Sequence, residues 1–139
     1  MSAQFTPQDA LIATMIAVSA ADGTLSDEEM NSISRMIAVL PVFADYDPAH
    51  VPTVAQTVFD LFEDEDGVDA LVGLVAESLP GTLNETAYAL ACDVAAADGD
   101  VRMEELRLLE ILRHDMKVDR LVASAIERGA RARHARLPA

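Results

Sequence analysis

One short element occurs twice in this chain. Ala-Asp-Gly-x-(Leu/Val)-x-x-Glu-Glu runs from Ala21 to Glu29 and again from Ala97 to Glu105. At a constant offset of 76 residues, 11–40 aligns with 87–116 without a gap, and the apolar positions keep the register. Val18 falls on Val94, Leu25 on Val101, Met30 on Leu106, Ile33 on Leu109 and Met36 on Leu112. Two copies are fewer than a stacked repeat array needs. The pattern therefore predicts a single domain over residues 1–139 with internal pseudo-twofold symmetry.

Each copy reads as helix, tight turn, helix. In the first, Leu11, Met15 and Val18 recur at helical spacing, and Gly23 follows where a helix end needs a left-handed residue. The next helix restarts at Ser26, with Glu29 three residues on, the spacing of a capping box. Met30, Ile33, Ile37 and Leu40 form its inward stripe, and Pro41 stops it. The second copy predicts helices over about 84–97 and 102–115. Between the copies, Asp45-Tyr46-Asp47-Pro48 reads as a loop, followed by helices over about 52–63 and 66–79. Pro80-Gly81 closes the latter, and Asn84 or Thr82 is expected to cap the helix that follows. A last helix from Asp119 to about Arg133 completes an all-α, compact seven-helix domain.

Composition supports that class. Apolar residues make up 51% of the chain but aromatic ones only 4%, without Trp. The core must then come from Ala, Leu, Val, Ile and Met, a palette that favours close-packed helices. Cys92 has no second cysteine to pair with, which suits a reducing compartment. Met1–Phe5 lacks a basic segment leading into an apolar run, and no stretch approaches the roughly 20 apolar residues of a membrane span. The expected location is the cytoplasm.

The net charge of -14 is unevenly spread. Met1–Val101 holds 18 Asp and Glu against Arg35, whereas Arg102–Ala139 holds 9 basic against 6 acidic residues. An acidic body of this kind repels nucleic acid and attracts cations or basic partners.

The twice-repeated Asp-Gly element resembles the signature of the tellurite-resistance TerB-like family, and the seven-helix layout extends the resemblance over nearly the whole chain. It implies a small helical bacterial domain with an acidic surface, associated with tellurite and chemical stress and with divalent-metal binding. Related domains are joined to co-chaperone modules. The family's acidic positions fall on Asp22 and Glu29 in the first copy and on Asp98 and Glu105 in the second. Arg102 departs from the pattern: it stands where the first copy has Ser26, so the second turn lacks the same cap.

The residues themselves allow two readings of these carboxylates. Laid on an EF-hand loop, Gly23 and Gly99 take the glycine position and Glu29 and Glu105 the last ligand, but Val18, Ala20, Val94 and Ala96 occupy ligand positions and cannot coordinate calcium. A calcium or magnesium ion would therefore need both turns, with Asp22, Glu29, Asp98 and Glu105 contributing to one site. The plainer reading makes the glycines helix ends and the carboxylates capping groups favoured by the helix dipole.

Other features are weaker. Glu63–Asp69 carries five carboxylates in seven residues, either a cation-attracting loop or a solvated connection. His50, His114 and His134 lack zinc spacing, Cys92 reads as core filler, and no nucleophile–base set or phosphate loop is visible. Arg128, Arg131, Arg133 and Arg136 near the end suit a helix C-terminus, or an acidic patch of a second copy. The functional expectation is a non-enzymatic stress protein that binds a divalent cation or a protein partner through its acidic turns. Its rival is a helical docking module, able to recruit a partner or a second copy, with purely structural carboxylates.

Overall fold

A computed structural model describes residues 5–99 and 101–139, apart from the side chain of Asp98. Among these residues there are seven α-helices and no strand: α1 (Pro7–Ser19), α2 (Asp27–Val39), α3 (Val51–Phe62), α4 (Gly67–Ser78), α5 (Asn84–Asp98), α6 (Met103–Asp115) and α7 (Arg120–Arg133). The all-α class and both helix–turn–helix copies are as expected. No helix of the described residues is long and apolar enough to cross a membrane.

The helix α1 is the axis of the fold. Every residue from Asp9 to Ser19 is buried, including Ala10, Ile12, Ala13, Ile16 and Ala17 between the positions that the helical spacing picked out. A helix apolar all round is a central one, and α1 packs against α5, α3, α4, α2 and α6. Leu11, Ile12, Met15 and Ile16 are fully buried, and each such side chain stabilises the fold by roughly 1.5–3 kcal/mol. Its counterpart in the second sequence copy, α5, buries Ala87, Leu90, Ala91 and Val94 and is flanked by α1, α7, α6 and α2.

The helix α2 is amphipathic instead. Ile33 and Ile37 are buried, Met30 and Leu40 are partly buried against the core, and Val39 faces solvent. It ends at Val39, before Pro41, which starts a short 3-10 turn over Pro41–Phe43. The Gln8 amide nitrogen holds that turn by donating to the carbonyls of Val42 and Ala44, both at 3.1 Å. The expected loop over 45–48 runs into a second 3-10 turn, Pro48–His50.

One expectation about a helix start needs revision, and one start adds to what the apolar spacing gave. The helix α1 begins at Pro7, four residues ahead of its first marked apolar residue, because Thr6 and Asp9 form a capping box with proline at the first helical position. For α5, neither Asn84 nor Thr82 caps. Leu83 is the N-cap without a side-chain bond, and the Asn84 side chain donates to the Met116 carbonyl at 3.0 Å, tying α5 to the end of α6.

The candidate site at the two Asp-Gly corners

The first corner is built from local hydrogen bonds. The Gly23 N–H donates to the Ala20 carbonyl at 2.8 Å while Gly23 adopts a φ of 96°. Asp22 Oδ1 then accepts from both the N–H and the hydroxyl of Thr24, each at 3.1 Å. These bonds favour the ionised form. The Thr24 N–H is the main cause holding the Asp22 carboxyl below its usual range, with lesser help from the Thr24 hydroxyl and Arg102, against an opposing desolvation. The chain restarts through the expected capping box: the Glu29 N–H donates to Ser26 Oγ at 3.1 Å, and Glu29 Oε1 accepts from the Ser26 N–H at 3.0 Å.

The second corner shares the positive-φ glycine but differs in backbone and chemistry, since α1 stops at Ser19 while α5 continues to Asp98. Gly99 ends α5 in the left-handed region, with φ at 77°, and its N–H donates to the Ala96 carbonyl at 3.1 Å. Arg102 is the N-cap of α6 and makes no side-chain cap. Its guanidinium crosses to the first copy, where Nη1 bonds and ion-pairs with Asp22 Oδ2. The residue that breaks the repeat therefore ties the two corners together.

A small cleft also lies between the copies. Glu29 lines this cleft of about 200 Å³ together with Ser19, Val94, Ala97 and Arg136, so it faces the end of α5 across it. Glu105, in the first turn of α6, is 4% exposed, deeper than the carboxylates at the first corner. Asp98, the fourth expected ligand, has its side chain outside the described residues.

These donors do not make a complete cation cage by themselves. Asp22 already uses one oxygen for Thr24 and the other for Arg102, and Glu29 uses one for the Ser26 amide. Among the described residues, no three His, Cys, Asp or Glu side chains converge where one ion could sit. A hard cation wanting roughly six to eight oxygens would have to draw on Asp98 and take Asp22 from Arg102.

Several polar contacts were not foreseeable from spacing. Buried Asp9 accepts from the Tyr46 hydroxyl at 3.0 Å and lies 3.6 Å from His50 Nε2. Burial, then the bond to Asp9, pushes the Tyr46 hydroxyl pKa up. Tyr88 donates to Glu127 at 2.5 Å, joining α5 to α7, and its hydroxyl pKa is also raised, chiefly by burial. The arginine-rich end lies on its own chain: Arg133 pairs with Asp93 at 2.5 Å, His134 sits 3.5 Å from the same carboxylate, and Arg136 reaches the Ala97 carbonyl at 3.5 Å. The Thr6-Pro7-x-Asp9 start was readable as a cap signal. The Tyr46 and Asp93 contacts span 37 and 40 residues and carry none.

Cys92 is buried as expected, and burial is the main reason its thiol is pushed up to about 11. It is a poor nucleophile at neutral pH.

No curated protein and no solved structure matched the chain. A family model described as tellurite resistance protein TerB matches residues 8–127, a span that contains both corners and runs from the first turn of α1 into α7. With its paired helix–turn–helix copies and this match over most of its length, the chain belongs to the TerB family.

Proposed function

We propose that this TerB-family protein is a non-catalytic binding module of the tellurite or metal stress response, acting in the cytoplasm. Its ligand is a divalent cation, calcium or magnesium, bound where the two Asp-Gly corners meet. Asp22, Glu29, Asp98 and Glu105 are the proposed ligands, and Arg102 is the resident cation the metal displaces. The observation that carries this reading is the Arg102–Asp22 pair, which joins the second corner to a carboxylate of the first. A cation already sits between the copies, and a stronger one can compete for the same oxygens.

The non-catalytic part rests on the chain's chemistry. Cys92 is held protonated by its surroundings and Tyr88 likewise. No nucleophile–base set stands out in the sequence.

A second reading has its own support. Asp22 and Glu29 both have local structural work, in the Thr24 turn and the Ser26 capping box. On that reading the carboxylates shape the corners, and the domain recruits a protein partner without metal.

Melting temperature measured with and without millimolar calcium, magnesium and zinc separates the two, because a ligand bound to the folded state alone raises stability by mass action. The cation reading expects a rise for wild type, a larger rise for Arg102→Ala, and none for Asp98→Asn combined with Glu105→Gln. No shift in wild type or in Arg102→Ala would leave the docking reading in place.

A further inference from the structure

A groove of about 520 Å³ lies between the first corner, the acidic connection from α3 to α4, and one flank of α6. Its floor is apolar, with Phe62, Val68 and Ile111 among the lining side chains. Its edge carries Asp64, Glu65, Asp69 and Glu104 against the single guanidinium of Arg107. We propose that this groove docks a short segment of another protein in which apolar side chains are interspersed with lysine or arginine.

Three observations lead there. First, the edge carboxylates lack internal counterions: among the described residues, ion pairs form at Asp9, Asp22 and Asp93, and of these only Asp22, at the first corner, neighbours the groove. Second, the negative charges come from two separate stretches, Asp64, Glu65 and Asp69 at the start of α4 and the connection before it, and Glu104 on α6. No three carboxylates of the described residues gather at a point. Separate cationic side chains match that arrangement better than one metal ion does, and the apolar floor has no use for an ion at all.

Third, the acidic loop is held in place. Gly67 is buried at the start of α4, and its N–H donates to the Asp64 carbonyl at 3.0 Å. A Cβ there would lie 2.0 Å from the Leu61 carbonyl oxygen, so the loop packs directly on the α3 backbone. Its carboxylates are thus presented from a fixed base, which lowers the ordering cost of binding.

The net charge of -14 favours a foreign basic segment over a second copy. Two such molecules repel one another, while a cationic partner is drawn in. The chain's own arginine-rich end is engaged on α5 through Arg133 and Arg136, and so is a poor candidate to fill a neighbour's groove. Docking here does not require a cation at the corners, and its test is done with chelator present so that the two cannot be confused.

Two synthetic peptides of equal length and charge serve as probes, one alternating lysine with leucine and the other lysine with serine. Their affinities are measured by fluorescence anisotropy, and the contact surface is mapped by amide chemical shifts. The leucine peptide is expected to bind at least about tenfold tighter, the lower end of what burying one leucine side chain supplies. Its shifts should centre on Phe62, Val68 and Ile111. Val68→Ser, at a position already 36% exposed, should narrow the difference between the peptides. Asp64→Asn with Glu65→Gln and Asp69→Asn should weaken both. Equal affinities would reduce the groove to a generally acidic surface and overturn the proposal. So would shifts centred elsewhere, or light scattering showing that the chain dimerises through Val68.

Discussion

Replacing Ser26 with alanine tests whether Glu29 is a cap, a ligand or both. The substitution removes the Oγ that accepts the Glu29 N–H at 3.1 Å and leaves the Glu29 carboxylate free to keep its own bond from the Ser26 N–H. Ser26 is exposed, so no cavity forms, and the loss is that of the cap alone: about 1 kcal/mol. For a chain of 139 residues that lowers the melting temperature by about 3–4 °C. Urea titration followed by circular dichroism should show an earlier midpoint with an unchanged slope. Glu29→Gln is the companion. Its amide oxygen can still accept from the Ser26 N–H, so stability should fall by less than in Ser26→Ala, while any calcium-induced stabilisation is lost. A Ser26→Ala protein as stable as wild type would refute the capping argument for α2. A Glu29→Gln protein that keeps its full response to calcium would remove Glu29 from the cation site.

Other outcomes follow from the same structure. Gly99→Ala forces a side chain into a φ of 77° and should cost about 1–2 kcal/mol, whereas Gly73→Ala, in open space on α4, should stabilise by about 0.5–1 kcal/mol; thermal melts of the pair check this. Arg102→Ala should raise the Asp22 pKa only part of the way to its ordinary value, since the Thr24 N–H remains the larger cause, as carboxyl NMR titration would show. Because that pKa is depressed in the folded state, its contribution to stability is complete above the unfolded value of about 3.8 and disappears as pH falls through the folded one. Cys92, with its thiol pushed up to about 11, should resist alkylation near pH 8 in the native protein and react readily once unfolded.

The helices were legible because their signals are local. Ser26 with Glu29, Asp119 before α7, and Pro41 after α2 each do the job that their spacing announces. Where reading fell short, the information lay across the fold. Apolar spacing marks a helix by contrast, and α1 has little: Leu11, Met15 and Val18 stand out in the sequence, yet every residue from Asp9 to Ser19 is buried. Asn84 has the chemistry of a cap, yet a carbonyl 32 residues away in sequence takes its amide.

The candidate site was legible to a similar depth. The repeat identified both corners and flagged Arg102 as the departure, but the cap position it vacates says nothing of where the guanidinium goes. Only packing of α1, α5 and α6 brings it to Asp22. The groove beside the acidic loop was invisible for the same reason, since its floor and edge come from three separate stretches of chain.

The central claim is that the two corners act as one unit, and the amide signals of Gly23 and Gly99 report on it directly, one from each copy. In a calcium titration of isotope-labelled protein, both should move along the same saturable one-to-one curve. Signals that stay still up to millimolar calcium, or that follow two unrelated curves, would contradict a shared site.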